Sequence, residues 1–467
     1  LNLFMSQEEL RKRIPLELCV CKDIMVESMK YSIYNSILPL TKISSMIYNA
    51  SSDKFIVFKK ELESLLAKNP EEVQKKALDL YTKLKDGGFV VDDDTDEVAD
   101  MISLGLRLCN NESSYRLIIN PTTNCNFRCW YCYENHSPHA KMDSCTVDKV
   151  KRMIVRITGN EKINCIELSF FGGEPLLYYR DTVEPIIDAI RIEHEKNKNF
   201  TYNIHFTSNG YLINDYIIQH LIKDRVQTTF QITLDGGREQ HNRVRFPTSG
   251  KGSYDRIINN IKKLLSEKIN VSLRINYTMN NISSVESILD DLKDISEEDA
   301  SFLTVDFQKV WQDTAIKYDD ETLGRTLDAF RKRFKRVSAH YNHTDAFRHP
   351  CYADLRNESV INYNGDVYKC TARDFTHENR LGELNDDGTI TWDDPDFVEN
   401  RVCRKFNKEE CNRCRIFPIC GGGCAQNALE NMDRLCMRYS SELEIDKVIL
   451  MRFYNNVVRH TTLPDVK

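Results

Sequence analysis

The stretch YRLIINPTTNCNFRCWYC, residues 115–132, joins a run of β-branched and aromatic residues to three closely spaced cysteines. The run YRLIIN, residues 115–120, predicts a buried strand. Cys125, Cys129 and Cys132 follow it with the spacing C-x3-C-x2-C. A closed structural zinc site has four protein ligands, and an iron–sulfur cubane also has four corners. Three thiolates therefore predict a metal site that leaves one position open for another ligand.

The chain on the carboxyl side of this stretch repeats a strand-then-helix pattern. Each further strand run is followed by a segment of helical period. These runs are IELSFF (166–171), TYNIHF (201–206), TTFQITL (228–234), VSLRINYT (271–278) and FLTVDFQKV (302–310). Six β/α units in series predict an α/β fold with a parallel sheet, right-handed crossovers and helices on the outer face.

Unusual residues follow the predicted strands. GGEP (172–175) ends the second strand, TSNG (207–210) ends the third and LDGG (234–237) ends the fourth. Arg274 and Asn276 lie within the fifth. Functional residues of parallel α/β folds collect at the carboxyl ends of the strands, so we expect these groups to meet at one mouth of a barrel.

The cysteine spacing, the aromatic Tyr131 before the third cysteine and the GGEP segment together resemble the radical SAM superfamily. The resemblance implies a partial (β/α)6 radical SAM barrel over residues 113–340. It also implies that Cys125, Cys129 and Cys132 hold a [4Fe–4S] cluster whose fourth iron binds S-adenosylmethionine. Reductive cleavage of that cofactor would yield a 5′-deoxyadenosyl radical, with an electron donor such as flavodoxin or ferredoxin as a partner.

Carried over by the same resemblance, the residues expected to bind S-adenosylmethionine are Tyr131, Gly172, Gly173, Glu174, Ser208, Asn209, Asp235 and Arg274. Glu174 would accept from the ammonium of the methionine moiety. Ser208 and Asn209 would face its ribose and methionine groups, and Arg274 its carboxylate. Gly237 stands where the family more often has proline after the aspartate segment. The sequence assigns no catalytic residue.

A second group of cysteines resembles the SPASM extension, expected here over residues 341–440. The expected ligands are Cys351, Cys370, Cys411, Cys414, Cys420, Cys424 and Cys436. The resemblance implies two auxiliary [4Fe–4S] clusters, and so three clusters in all. Cys411, Cys414, Cys420 and Cys436 would close one. The other would have Cys351, Cys370 and Cys424, with Cys403, substrate or solvent as its fourth ligand; a zinc ribbon is the structural alternative for this segment.

The remaining segments flank these two regions. Residues 1–112 show a short hairpin pattern running into helices, and this order is similar to winged-helix-like leader-recognition elements fused to peptide-modifying radical SAM enzymes. Such elements capture a precursor peptide by pairing it to an exposed sheet edge. Residues 441–467 predict a C-terminal helical extension.

Composition excludes several classes of protein. The chain has 467 residues, a formal net charge of -6 and a pI near 6.1, which gives no basic footprint for nucleic acid. No stretch has the length of a membrane span, and the start LNLFMSQEELRKR has no signal-peptide core. We therefore expect a cytoplasmic protein with neither a membrane nor a nucleic-acid partner. Cytosolic thiols stay reduced, so its sixteen cysteines favour metal ligation or catalysis.

These features predict an oxidoreductase that acts on a ribosomally made precursor peptide and forms a thioether or carbon–carbon crosslink. An anaerobic sulfatase-maturing enzyme, which makes formylglycine, is the alternative. The sulfatase maturases place an aspartate directly after the cysteine that matches Cys370, whereas this chain has Thr371 there, and Asp374 is the nearest acid. A zinc-binding module without catalysis is the alternative from another class.

Overall fold

The computed structural model describes residues 28–248, 250, 252–310, 312–313, 320–339, 347–431, 436 and 442–457. The chain divides into two compact units, residues 1–97 and 98–467. The finer division expected from the sequence, at residues 112, 340 and 440, stays a prediction. Among the described residues, no helix combines the length and the apolar character needed to cross a membrane.

The described residues of the first unit, from residue 28 onward, contain five short strands and three short α-helices. Its strands are β1 (Met29–Tyr31), β2 (Asn35–Pro39), β3 (Ser44–Asn49), β4 (Lys54–Lys59) and β5 (Val90–Asp92). Its helices span Glu63–Leu66, Pro70–Lys76 and Leu78–Asp86. Strands β2, β3 and β4 form an antiparallel sheet in that order, and β1 pairs with β5. This hairpin-rich order agrees with the pattern predicted for the segment.

Local chemistry explains where the helices of the first unit begin and what they cover. The Asn69 side chain accepts from the Glu72 amide at 3.1 Å, and Pro70 occupies the first helical position. The helices bury Val73 and Leu84 in a core with Phe89 from the start of β5. Among the residues that the structure describes, β2 and β4 are the edge strands of the three-stranded sheet.

The second unit is built on one sheet of eleven strands. Its strands are β6 (Ser114–Ile119), β7 (Cys165–Phe170), β8 (Thr201–Ser208), β9 (Thr228–Leu234), β10 (Asn270–Tyr277), β11 (Leu303–Lys309), β12 (Val337–Ala339), β13 (Glu358–Ile361), β14 (Asp366–Tyr368), β15 (Gly382–Leu384) and β16 (Ile390–Trp392). Strands β6 to β12 are parallel and lie in chain order. The six predicted strands are confirmed to within two residues at each end.

Helices separate the parallel strands and cover the sheet. The longer ones span Glu97–Cys109, Ser144–Thr158, Glu184–Lys196, Asp215–Ile222, Tyr254–Ser266, Asp320–Arg333 and Glu442–Asn456. Shorter ones span Arg238–Val244, Ile288–Asp291, Glu297–Ala300, Pro395–Glu399, Glu409–Asn412, Phe417–Cys420 and Ala425–Glu430. The helix from Ser144 starts where the Asp143 side chain accepts from the Thr146 amide at 2.8 Å, and it buries a stripe containing Val150 and Ile154 against the sheet.

The sheet continues beyond β6 into the cysteine-rich segment, and the sequence pattern does not predict this extension. Strand β13 pairs in parallel with β6, and β14, β15 and β16 continue the sheet as an antiparallel meander. The cysteine-rich segment therefore shares a hydrogen-bonded sheet with the barrel strands. This arrangement confirms the α/β class and places the cysteine loop after β6 at the carboxyl ends of the parallel strands.

Candidate active site

Most of the residues predicted for the radical site line one cavity at the carboxyl ends of the parallel strands; Glu174 and Asp235 lie outside its wall. The cavity has a volume of about 190 Å³. The predicted residues in its wall are Cys125, Cys129, Tyr131, Cys132, Gly172, Gly173, Ser208, Asn209 and Arg274. These residues follow or lie within four different strands, β6, β7, β8 and β10, as the alternation of strands and helices predicts.

The three cysteines of the loop after β6 lie in mutual electrostatic contact. Burial, the Glu174 carboxylate and the neighbouring Cys129 raise the pKa of the Cys125 thiol to about 12. Burial is also the main reason that the pKa of Cys132 rises to about 11. Metal ligation requires the thiolate, so a bound cation would offset this cost of charging.

The glycines of the GGEP segment allow the cysteine loop to pack closely on the end of β7. Gly172 has φ +104°, and a Cβ there would collide with the Asn120 side chain. A Cβ on Gly173 would collide with the main chain of Asn124. The atoms nearest to a side chain at either position thus belong to the chain itself, so glycine is required here for the packing of the loop. Both glycines also line the cavity.

Glu174 holds the ends of two strands together. Its side chain is fully buried and accepts from Ser208 Oγ at 2.8 Å, from the Asn209 amide at 2.8 Å and from the Leu176 amide at 3.1 Å. Burial raises the pKa of Glu174 to about 7, against the opposing effect of these donors. The expected contact with the cofactor ammonium stays a prediction; the described contacts make Glu174 the residue that positions Ser208 and Asn209.

Tyr131 is fixed by a buried polar network below the cavity. Its hydroxyl lies 2.7 Å from Asp235 Oδ2, and it accepts from Arg245 Nη1 at 2.8 Å and from Asn276 Nδ2 at 3.2 Å. Burial raises the pKa of Asp235, although the Arg245 guanidinium acts in the opposite direction. Asp235 therefore orients the tyrosine of the cysteine motif.

The Arg274 side chain offers a cation in the wall of the cavity. Its Nε donates to Asn276 Oδ1 at 2.8 Å, which orients the guanidinium. Burial lowers the pKa of Arg274, yet an arginine side chain keeps its charge in proteins. A ligand carboxylate would offset the cost of burying this charge.

Three polar atoms in the cavity wall are buried without a hydrogen bond from the described part of the chain. They are Glu134 Oε2, Arg245 Nε and Gln312 Oε1. Buried polar atoms in native proteins are normally satisfied, so these atoms indicate room for a polar ligand. A three-thiol loop beside them, with Arg274 as a cation, fits a [4Fe–4S] cluster with S-adenosylmethionine as its fourth ligand.

Sequence reasoning did not assign these three residues to the site. Gln312 follows β11 and donates from Nε2 to the Tyr131 carbonyl at 2.7 Å, so extending the strand-end rule to the sixth strand would have found it. Arg245 ends the HNRVR segment, residues 241–245; it is buried, whereas Arg243 of the same segment is exposed. Glu134 carries no motif signal beyond its place two residues after Cys132.

Four cysteines of the second group, Cys411, Cys414, Cys420 and Cys436, interact electrostatically with one another, and their role as ligands stays a prediction. Burial and the thiols of Cys436, Cys420 and Cys414 raise the pKa of Cys411 to about 11. The first set of four is thus in electrostatic contact.

The other three cysteines form a separate set. Burial, the Asp354 carboxylate and the thiols of Cys370 and Cys424 raise the pKa of Cys351 to about 12. Cys403 lies beside Cys109, whose pKa is about 11 mainly because of burial, with contributions from Asp354 and Cys403. Whether Cys403 completes the set of three stays a prediction.

Comparison with known proteins agrees with this geometry. The family model of the Radical SAM superfamily matches residues 119–295. A cysteine-type anaerobic sulfatase-maturating enzyme of Clostridium novyi is 24% identical over 68% of this chain and 90% of its own length. The corresponding enzyme of Clostridium perfringens is 24% identical over 73% of this chain and 98% of its own length.

A solved structure of similar fold is native anSMEcpe with bound AdoMet and Cp18Cys peptide. It covers 74% of this chain and 97% of its own, with 21% identity and a TM-score of 0.53. The matched segment, 119–295, begins at the end of β6 and includes the cysteine loop and the GGEP turn. Residues 119–295 therefore match the Radical SAM superfamily, and the fold is similar to that of a structure with bound AdoMet.

Proposed function

We propose that this radical SAM enzyme installs a thioether or carbon–carbon crosslink in a ribosomally made precursor peptide. The observation that carries the proposal is the first compact unit, a small antiparallel sheet with two edge strands, added to a radical SAM barrel. The Clostridium perfringens relative aligns over 98% of its own length but over 73% of this chain. This chain thus has a substantial part that a sulfatase-maturating enzyme of that length does not share.

The sheet of the first unit has the features of a peptide-docking surface. Its edge strands each expose an apolar side chain, Ile37 on β2 and Val57 on β4, which are 42% and 52% exposed. An extended peptide that adds to a sheet edge gains main-chain hydrogen bonds, and alternate side chains supply register. A leader sequence bound there would raise the local concentration of the precursor at the enzyme.

The contacts of Asp374 favour crosslinking over sulfatase maturation. The residue after Cys370 is Thr371, whose carbonyl accepts from the Tyr133 hydroxyl at 2.8 Å. Asp374 accepts from the Asn135 amide at 3.2 Å and from the Asn135 side chain. Asp374, the nearest acid, thus takes part in joining the cysteine loop to the C-terminal segment. Sulfatase maturation remains the second candidate because the curated relatives carry that name.

Some residues of the site would bind S-adenosylmethionine, and others orient the side chains around it. Arg274 would bind the carboxylate of S-adenosylmethionine, and Ser208 and Asn209, held by Glu174, would bind its ribose and amino groups. Asp235 and Arg245 keep Tyr131 against the cavity wall. When bound, the cluster and the cofactor would supply a carbon-centred radical that removes a hydrogen atom from the substrate.

The proposal also assigns the two further sets of thiols. Cys411, Cys414, Cys420 and Cys436 would hold one auxiliary [4Fe–4S] cluster, and Cys351, Cys370 and Cys424 the other. Four thiolates are the ligands typical of a closed [4Fe–4S] cluster, and the first set matches that number. With the cluster of the radical site, the enzyme would hold three clusters and would accept electrons from a flavodoxin or ferredoxin.

The experiment is anaerobic co-expression of the enzyme with candidate precursor peptides from neighbouring genes, followed by mass spectrometry. We expect each crosslink to remove two hydrogens from the peptide mass. A matched sample with Cys125, Cys129 and Cys132 all replaced by Ala should give unmodified peptide. An aldehyde that reacts with a hydrazine, on a cysteine or serine of a sulfatase peptide, would instead support the second candidate and contradict the first.

A further inference from the structure

We propose that a second cavity, at the opposite end of the parallel strands, binds an uncharged peptide segment. This cavity has a volume of about 480 Å³, within the range of small-ligand sites. Its wall includes Tyr115 at the start of β6 and Ile163 just before β7, so it lies at the amino ends of these strands. The inference stands on this cavity alone and does not depend on the reaction at the cysteine end.

The first observation is a buried carboxylate in the wall of the cavity. Glu358, at the start of β13, is 1% exposed. Neither of its side-chain oxygens accepts a hydrogen bond from any described residue. An unsatisfied buried acceptor is costly, and a carboxylate offers about four lone-pair sites to donors. A ligand in this cavity that carries N–H or O–H groups would satisfy them.

The neighbouring lysine does not satisfy Glu358. Lys369 Nζ lies 3.4 Å from Glu358 Oε2, so the two form an ion pair, but no contact of hydrogen-bond geometry joins them. It donates to the main-chain oxygens of Glu358 at 2.6 Å, Leu355 at 2.8 Å and Arg356 at 3.3 Å. An ammonium has three donors, so all three are in use. The pair is balanced in charge, while the carboxylate still lacks hydrogen bonds.

The charges around the cavity favour an uncharged ligand. Arg356 pairs with Glu399 at 3.3 Å, and Arg156 with Asp387 at 3.6 Å. The buried Arg401 donates from Nε to the Ala353 carbonyl at 3.0 Å. Each arginine or lysine side chain in the cavity wall thus already contacts an acceptor or an anion. A charged ligand would lose its hydration without gaining an unpaired counter-charge. Neutral N–H donors suit Glu358 better.

The opposite wall of the cavity suits a peptide backbone. Strand β16 is the last strand of the sheet, so its outer edge is unpaired among the described residues. Ile390 and Trp392 of this strand line the cavity, together with Leu355 and Val398. A peptide segment supplies amide donors for Glu358, carbonyls and amides for a strand edge, and apolar side chains for this wall.

The test uses N-acetylated, C-amidated tripeptides with aliphatic side chains as probes on the anaerobically purified full-length enzyme. Ligand-observed NMR should show binding to the wild type. Glu358→Gln, which exchanges one acceptor for a donor, should weaken binding about tenfold, the equivalent of one charge-assisted hydrogen bond. Val398→Trp should block the cavity without changing Glu358, and Val155→Trp, on the exposed face of the helix Ser144–Thr158, is the matched control.

S-adenosylmethionine cleavage reports folding in every variant and should stay unchanged in all three. If Glu358→Gln does not fold, the pair Val398→Trp and Val155→Trp carries the test alone. Equal binding of the capped peptides to wild type and Val398→Trp would overturn the proposal. So would a crystal structure with only water on Glu358 at saturating probe, or preferred binding of a diamine over the capped peptides.

Discussion

Replacing Glu174 by Gln tests whether this buried carboxylate positions the strand ends of the site. Gln has one carbonyl oxygen and one NH2 group in the place of two acceptors. If the carbonyl keeps the bonds from Ser208 and Leu176, the NH2 faces the Asn209 amide, and the bond now at 2.8 Å is lost. A buried amide left without a partner costs about 1–3 kcal/mol. We therefore expect local opening at Asn209 to become about tenfold to a hundredfold more frequent.

The assay is native-state hydrogen exchange of the Asn209 amide, measured anaerobically with and without S-adenosylmethionine. Asn209 lines the cavity, so we also expect the Kd for S-adenosylmethionine to rise by about tenfold. Glu161→Gln, at an exposed position before β7, is the matched control and should change neither quantity. Unchanged exchange at Asn209 in Glu174→Gln would refute the positioning role. Weaker cofactor binding with unchanged exchange would point instead to direct contact between Glu174 and the cofactor.

Four further predictions concern the thiols, the first unit and pH. Replacing Cys125, Cys129 and Cys132 together by Ala should abolish 5′-deoxyadenosine formation while the auxiliary iron, measured by iron and sulfide analysis, remains. Deleting residues 1–97 should spare cofactor cleavage without peptide but weaken precursor binding; unchanged precursor affinity in a folded truncation would contradict the docking role. Cys403→Ala should leave iron content and activity unchanged, and loss of about one cluster's iron would show that Cys403 is a ligand. Because the folded pKa of Glu174, about 7, exceeds its ordinary 4.5, its contribution to stability is complete below pH 4.5 and is lost as pH rises through 7. The free energy of unfolding, measured with denaturant, should therefore fall by about 3 kcal/mol between those pH values in the wild type but not in Glu174→Gln.

The strands of the barrel could be predicted because each one carries its own local signal. A run such as TTFQITL, residues 228–234, is bounded by turn residues and coincides with β9. The pairing of β13 with β6 has no such signal, since nothing local to either strand identifies its partner. The sequence therefore predicted the order of the parallel strands but not that the cysteine-rich segment extends their sheet.

The candidate site shows the same division. The cysteine spacing and the strand-end rule predicted residues that line one cavity, because both signals depend on short segments of sequence. The hydrogen bonds that the Glu174 oxygens accept from Ser208, Asn209 and Leu176 could not be predicted, because they depend on the geometry of two strand ends. Glu358 was missed for a different reason: an acid at the start of a strand is ordinary until its burial is known.

The pairing of β6 with β13 also bears on how the protein is made. Asn120 Nδ2 donates to Asn362 Oδ1 at 2.8 Å across 242 residues of sequence. On the ribosome, β6 emerges long before β13 is synthesised. The edge of β6 with Leu117, Ile118 and Ile119 therefore stays unpaired on the β13 side during that time. Contacts of such sequence separation slow folding and expose partly folded chains to aggregation. A nascent chain that ends before residue 358 therefore has an open sheet edge at β6, and we expect it to depend on chaperones until β13 has been translated.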